Sequence, residues 1–478
     1  MGLRITQSML FRNTLWNIQK NSRRLSILQE MLASGRKINR PSDDPTGLLR
    51  LMPLEVDINK LARNKENISL TKEILGSGTG ALQDASSLII DARTIALQGA
   101  NGTLSQSDRR SLAQKIDQIL SQMLAIGNTK RAGRYIFSGA KTNTAPFSLV
   151  TQNGITWVRY NGDGNVIKVE VGPGIEAETN IPGDQIFLSR NRGETEYEGI
   201  TGAKAGSGTD SGVGIDILQV RHLSTTLSGS THGITVAATS SSSDTLLGAG
   251  HTVTVGPGYR ISIDGGDPVT FQQGATDVEV TAPNGGVVHL DLSNWDGQST
   301  TFTLNSSFKL SIDGTDWTEI DVTSTIPENV QLVDSVTGYV TNVDPTDITL
   351  AGDEVVTYSG TFDVFTTLIT LRDVLNNKYN LSKSRQTNLL KNLIGEVDNA
   401  HEMILSGLRE LGGRMERMEL VKGRVEDMEI SMKDVLGDVR DIDLADVIMK
   451  LTQQETLFQT SLAVGSRVIQ PSLLNFLK

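Results

Sequence analysis

Five histidines are the side chains of this 478-residue chain best suited to general acid–base work near neutral pH, and they stand far apart at His222, His232, His251, His289 and His401. A hydrolase would set such a base beside an activated serine, and no Gly-x-Ser-x-Gly elbow occurs to present one. His401 is followed by Glu402, but positions 403–405 supply no second histidine, so the His-Glu-x-x-His zinc signature fails. Cysteine is absent, which removes disulfides, thiolate nucleophiles and cysteine-type zinc sites. Gly76, Gly78 and Gly80 look superficially like a phosphate-cradling loop, yet no Gly-Lys-Ser or Gly-Lys-Thr follows and the surrounding sequence is helical, so a flexible helix segment accounts for them better. Asp438, Asp441, Asp443 and Asp446 offer oxygen ligands for a hard cation, but their spacing lacks the loop glycine of a calcium hand. Asp443, standing just before Leu444, fits better as the cap of a helix whose positive end its neighbours also complement. The expectation is no catalytic, cofactor-binding or metal-binding residues, and no enzyme.

Length and charge narrow the class. A chain of 478 residues exceeds one ordinary core and implies two or three domains. The net charge of −11 is unevenly placed: residues 202–350 hold four basic side chains (Lys204, Arg221, Arg260, Lys309) against 17 acidic ones, net −13, which leaves +2 for the rest. Phosphate binding needs lysines and arginines clustered on one face, so nucleic acid is not expected as a partner and the acidic middle reads as a water-facing domain. No run of about eighteen apolar residues exists to span a bilayer, so no membrane is expected. Arg4, Arg12 and Asn13 interrupt the N-terminus where a signal peptide needs an apolar stretch, so export would take another route. Residues 2–6 formally fit a myristoylation pattern, but they lead into an amphipathic helix, which is the preferred reading.

The elements follow from periodicity. Residues 1 to about 130 read as helix, rich in Leu, Ile, Ala, Gln, Lys and Arg, with widely spaced breakers at Pro41, Pro45 and Pro53. Phe11, Thr14, Ile18, Asn21, Leu25, Leu28 and Leu32 recur at alternating steps of three and four, a narrow coiled-coil-like stripe. Leu444, Ile448, Leu451, Glu455, Phe458, Leu462, Gly465 and Ile469 repeat those steps before Pro471, which is expected to stop the helix. Most amphipathic stripes pack on their own core. Two single-stripe helices at opposite ends of a chain, however, bury their seams against each other or against neighbouring subunits, because an isolated helix is marginal in water. A second helical block, from about 362 to 436, offers Leu371, Val374, Leu375, Leu389, Leu390, Leu393 and Ile394 as core contacts and pairs with the N-terminal helices.

Between the helical blocks the period changes to two. Ile155, Trp157 and Arg159 alternate with Val158 and Tyr160, and Ile167, Val169 and Val171 follow a turn at 161–165, which predicts a hairpin. Beyond Gly202 the chain is rich in Gly, Ser and Thr, with short β-branched runs such as 252–255, which predicts an all-β inserted domain. RISIDGGD at 260–267 is echoed by KLSIDGTD at 309–316, two strand-plus-turn units in which Asp-Gly favours a tight hairpin. Residues 237–243 are low in complexity and read as loop or linker. Trp295 and Trp317 would serve as stacking platforms for a glycan if exposed, giving the insert an adhesin role; core packing explains them equally well. The expected fold class is α+β: long N- and C-terminal helices forming a coiled-coil-like bundle, a β-hairpin region and an inserted all-β outer domain. The expected division is 1–40 with 440–478 as terminal helices, 41–190 with 360–439 as a helical rod carrying the hairpin, and 191–359 as the acidic insert.

Residues 34–48 (SGRKINRPSDDPTGL), residues 98–147 (ANGTLSQSDR, then IGNTKRAGRYIFSGAKTNTAPF) and the closing DVRDIDLADVIMKLTQQETLFQTSLAVGSRVIQPSLLNFLK together resemble the bacterial flagellin superfamily. The GRYIFSG portion is closest to that superfamily's hook–filament junction branch. In the first segment Gly35 ends a helix, Pro41 cannot continue it, Ser42 can cap the next, and Asp43 and Asp44 suit that helix's dipole. The resemblance covers about 1–190 and 360–478 and leaves the middle unassigned. It implies a flagellin-like rod with an axial core, in a subunit secreted unfolded through the flagellar export channel without a cleaved signal peptide. Its terminal helices would order on assembly, and its place would be extracellular, at the junction. It implies no cofactors. The partners it implies are another hook-associated protein at the hook end, flagellin at the filament end, copies of itself in a ring, and the export apparatus with an export chaperone. Phe11, Ile18, Leu25, Leu28, Leu32, Leu444, Ile448, Leu451, Phe458, Leu462 and Ile469 are then the assembly interface. A filament-forming flagellin is the alternative within the same fold.

Overall fold

Helix α1 (Gln7–Ser34) ends at Gly35, whose φ of +72° turns the chain out while its N–H still reaches the Met31 carbonyl at 2.9 Å. The computed structural model describes residues 7–152, 154–188 and 191–476, with side chains at all of these except 7, 241 and 468–476. Residues 2–6 of the myristoylation pattern and the side chain of Ile469 therefore lie outside the described residues. Helix α2 (Pro45–Gly99) opens on proline, whose missing N–H is no loss in the first turn. Its cap is Asp44, whose Oδ1 accepts from the backbone of Thr46 (3.1 Å) and Gly47 (2.9 Å). Ser42 does not take that role: with Pro45 as the first helical residue it stands too early to be the cap. Asp43 instead closes the preceding turn, accepting from the N–H groups of Asn39 (3.0 Å) and Arg40 (2.7 Å). Helix α3 (Gln106–Gly127) starts with a reciprocal capping box between Ser105 and Asp108.

A run of short strands follows: β1 (Lys130–Arg131), β2 (Arg134–Tyr135), β3 (Phe147–Gln152), β4 (Ile155–Tyr160), β5 (Lys168–Gly172) and β6 (Ile175–Glu178), then a single turn of helix, α4 (Gly183–Ile186). The expected hairpin of 155–160 with 167–171 is not formed. β4 pairs with β3 and β5 with β6, each antiparallel. Gly154 (φ +83°) and Gly174 (φ +71°) reverse the chain inside each pair. The 161–165 stretch is a connector, pinned by Asp163, whose Oδ1 accepts from the N–H groups of Ala140 (2.8 Å) and Asn165 (3.0 Å).

The insert is entirely antiparallel β apart from one helical turn. Its elements are β7 (Thr195–Glu198), β8 (Lys204–Ala205), β9 (Gly214–Ser228), β10 (Thr235–Val236), α5 (Ser240–Ser243), β11 (Gly248–Gly256), β12 (Arg260–Ile263), β13 (Val269–Thr270), β14 (Val278–Thr281), β15 (Val287–Asp291), β16 (Thr300–Ser311), β17 (Thr318–Ile320), β18 (Val330–Val333), β19 (Val340–Asp344) and β20 (Gly352–Tyr358). The main sheet runs β13-β12-β11-β16-β9-β20-β7, with β17 added on β16; smaller sheets are β10-β15-β14 and β18-β19-β8. Its long central strands β9 and β16 serve two cores, one around Leu218, Phe308 and Val356, the other around Val253, Ile261 and Phe302. Both Asp-Gly units lie in the loop of a hairpin, and the first makes a tight turn within it. Each loop leaves seven residues between its innermost pairs, Ile261 with Val269 and Leu310 with Thr318; in the first, Asp264 (φ +53°) and Gly265 (φ +72°) form a β-turn closed by the Gly266 N–H to the Ile263 carbonyl at 2.8 Å.

The chain returns to helix in α6 (Val364–Asn376), α7 (Lys383–Arg440) and α8 (Leu444–Phe476). α8 does not stop at Pro471; proline forfeits one hydrogen bond there, and the helix runs on to Phe476. Leu371, Val374, Leu375, Leu389, Leu390 and Leu393 are buried and Ile394 half-buried. By contact density the chain forms two units, Met1–Glu73 with Lys168–Glu178 and Arg414–Lys478, and Ile74–Ile167 with Thr179–Gly413.

Candidate assembly interface

Helices α1 and α8 lie antiparallel, and their seam is partly polar. Gly465 faces Thr14 and Ile18, where a Cβ would meet Ile18 Cδ1 at 3.0 Å. Asn21 Nδ2 donates to Ser461 Oγ (2.8 Å), and Gln454 Nε2 donates to both the side-chain and backbone oxygens of Asn21 (3.2 and 3.3 Å). The α8 side of the seam thus runs through Val447, Leu451, Gln454, Phe458, Ser461 and Gly465, all buried or half-buried. A stripe counted from apolar residues alone meets it only at Leu451, Phe458 and Gly465, because Gln454 and Ser461 are buried by pairing with Asn21. Ile18, Leu25, Leu28 and Leu32 line the α1 side, half-buried. Four expected residues point elsewhere: Phe11 is 43% exposed, Leu444 57%, Ile448 45% and Leu462 45%. Around them Met9, Leu10, Leu15, Trp16, Met449, Leu457 and Val464 are also exposed, an apolar surface far larger than scattered leucines would make.

The base of this pair is stitched by backbone. Lys37 N–H donates to the Arg440 carbonyl (2.6 Å) and Ile442 N–H to the Gly35 carbonyl (3.1 Å), while Ile38, Leu51 and Leu436 bury a small cluster beside them. Asp443 caps α8, accepting from the N–H groups of Ala445 (3.0 Å) and Asp446 (3.2 Å). Its acidic neighbours have cations of their own: Arg440 bonds Asp441 (2.8 Å) and Lys450 bonds Asp446 (2.6 Å). Among the described residues no three His, Asp or Glu side chains gather as metal ligands.

GRYIFSG is a folding knot. Its Ile136, Phe137 and Ser138 are buried, and Gly139 (φ +67°) lies so close to the Asp163 carbonyl that a side chain there would collide with it. Phe137 meets Phe187 edge-on at 5.3 Å, and Phe147 packs on Phe187 (5.3 Å), Phe365 (4.9 Å) and Tyr160 (5.2 Å). Tyr160 closes the knot by donating its hydroxyl to the Phe137 carbonyl at 2.9 Å. Sequence reasoning missed Phe187 and Phe365 as members, since nothing in local spacing links them to Phe137.

The five histidines sit in structural bonds: His401 with Ser86 (2.8 Å), His222 with Thr225 (2.8 Å), His232 with Asp296 (2.8 Å), His251 with Asp264 (2.6 Å) and His289 with Asp244 (2.9 Å). Trp295 is half-buried and packs edge-on against Tyr259 and Phe271; Trp317 is half-buried beneath Lys309, whose ammonium is 4.8 Å from the ring centre.

Both ends of the chain match known families: residues 5–142 fit the bacterial flagellin N-terminal helical region, and residues 394–477 the bacterial flagellin C-terminal helical region. At both ends the chain is thus similar to bacterial flagellins. Among the proteins it is similar to is the flagellar hook-associated protein 3 of Escherichia coli K12, 32% identical over 195 residues, or 39% of this chain and 57% of that protein. The chain therefore spans a little over half the length of that relative. The flagellin of Clostridium tyrobutyricum is 30% identical over 125 residues, 26% of this chain and 33% of its own. Among solved structures, the flagellar hook associated protein-3 of Legionella pneumophila aligns over 81% of this chain and 98% of that one, at 18% identity and a TM-score of 0.43.

Proposed function

We propose that this chain is a structural, non-enzymatic subunit of a bacterial flagellum, placed where hook meets filament. The observation that carries the reading is the α1/α8 pair, which satisfies its own seam and still leaves Phe11, Leu444, Ile448 and Leu462 outward. Covering such apolar area between copies gains about 25 cal/mol per Å². In this reading those four residues, with Trp16 and Met449 beside them, meet other subunits. Ile18, Leu25, Leu28, Leu32, Leu451 and Phe458 hold the pair itself, and Ile469 is assigned with them. Residues 1–40 and 440–478 form the axial core, 41–190 and 360–439 the rod, and 191–359 the outward domain. The longer match to hook-associated protein 3 than to flagellin favours the junction over the filament. A second hook-associated protein would sit on the hook side, flagellin on the filament side and further copies around the ring, after delivery by the flagellar export apparatus with a chaperone.

Immunogold electron microscopy of intact flagella, with antibody against the 200–355 fragment, tests this. One gold cluster between hook and filament is expected. Label along the whole filament would make the chain a flagellin, and absence of flagellar label would overturn both readings.

A further inference from the structure

Midway along α2 the sequence reads Gly76-Ser77-Gly78-Thr79-Gly80, five consecutive residues of poor helix propensity within a 55-residue helix. On α7 the pair Gly412-Gly413 interrupts a 58-residue helix in the same way. The two runs lie level with each other: Leu411, nearly fully buried, seats its side chain over Gly78, where a Cβ would come within 3.2 Å of it. Gly78 is thus a packing glycine, as is Gly407, whose missing Cβ makes room for Leu82 and Ile186. The other four have no such reason. A Cβ at Gly76, Gly80, Gly412 or Gly413 would meet nothing within 4 Å, so alanine would fit and would strengthen the helix. Gly395 and Gly423 are open too, but each stands alone with no glycine opposite. Thr79 Oγ1 also donates back to the Leu75 carbonyl (3.0 Å), a bond that loosens and bends helices.

We propose that α2 and α7 share a built-in flexure at this level, with Leu411 over Gly78 as its pivot. Two helices weakened at the same height bend together, whereas either alone would be splinted by its neighbour. The bend leaves both helices' remaining backbone bonds intact, so it is reversible and does not require unfolding of the cores on either side.

The chain has no cysteine, so spin labels can be placed uniquely by Asn399→Cys and Arg424→Cys, two exposed positions of α7 flanking the glycine pair and about 38 Å apart at ~1.5 Å per residue. In the full chain the label-to-label distance distribution is expected to be broad. With Gly76→Ala, Gly80→Ala, Gly412→Ala and Gly413→Ala together it is expected to narrow. Amide exchange over 74–80 and 410–414 should slow by about 25-fold, roughly fivefold for each of the two glycines per helix. Gly78→Ala, by contrast, should lower the melting temperature through its collision with Leu411. A distribution equally narrow before and after the four substitutions, with unchanged exchange, overturns the flexure. Should the fourfold variant not fold, the unaltered chain still decides: amides at 74–80 and 410–414 should exchange at least about tenfold faster than those at 82–92 and 398–408, and equal rates refute it.

Discussion

Asp216 is the side chain whose chemistry departs most from its surroundings. It sits near the start of β9 opposite Val356, half-buried; burial first, and the neighbouring Asp334 second, push its carboxyl up to about 7, against a partial offset from the Tyr358 hydroxyl. A carboxyl raised on folding stabilises the protonated native state, so stability falls as pH rises from about 4 towards 7, and the cost is complete above that. Asp216→Asn should therefore add about 1–3 kcal/mol at pH 8 and close to nothing at pH 4, read by urea unfolding followed on Trp295 and Trp317 fluorescence. Asp313 works the other way. Burial opposes its charge, yet N–H groups of Thr315 (2.8 Å), Asp316 (2.9 Å) and Ser335 (3.0 Å) and the hydroxyls of Ser311 (3.0 Å) and Ser335 (2.5 Å) hold the carboxyl well below its usual range. Its contribution is fully present above the ordinary carboxylate range and is lost progressively as pH falls below that range towards the lowered folded-state value. His222 is held below its usual range by burial, against an opposing pull from the Asp244 carboxylate, so acidification below about pH 6.5 weakens the insert.

At the scale of elements, caps and seams decide. Removing the α2 cap with Asp44→Ala, or the α8 cap with Asp443→Ala, should cost about 1 kcal/mol each in thermal melts, while Ser42→Ala should cost little. Asn21, Gln454 and Ser461 make the α1/α8 seam weaker than an all-leucine one but fix its alignment, as single buried amides do in coiled coils. Asn21→Leu with Gln454→Leu should raise the pair's melting temperature and loosen its register, seen as disulfide capture between engineered cysteines one helical turn out of alignment. These residues also mark where sequence reading stopped. The periodicity of α1, the cap at Asp443, the tight Asp264-Gly265 turn and the all-β insert were legible because each is a local signal. The α8 seam was offset because buried amides do not count as apolar, and the β3–β4 pairing was missed because a partner strand leaves no trace in the strand it joins. The knot of Phe137, Phe147, Phe187 and Phe365 joins residues more than two hundred positions apart, and only folding brings them together.

For the whole molecule, inward and outward residues of the terminal pair should separate cleanly. Ile448→Asp or Leu462→Asp should leave the isolated chain folded, with unchanged melting, yet abolish incorporation as scored by gold labelling of flagella. Leu451→Asp or Phe458→Asp should also block incorporation, but by opening the α1/α8 pair through a buried charge. Normal attachment of the Ile448 and Leu462 variants would remove the outward faces from the mechanism. The insert meets the rest of the chain differently. Its first and last strands, β7 and β20, are neighbours with Tyr358 opposite Thr195, and just outside them Gly193 N–H still reaches the Ser359 carbonyl at 2.7 Å. The chain therefore enters and leaves the insert at neighbouring points, and two of its strands also touch helices: Arg385 of α7 donates to the Asp353 carbonyl of β20 at 2.9 Å, and Gly214 at the start of β9 lies against Thr366 and Thr370 of α6. A descendant gene can therefore lengthen, shorten or exchange the strands and loops remote from β9 and β20 without retuning any helix, so sequence drift is expected to concentrate there and to spare the two strands that lean on α6 and α7.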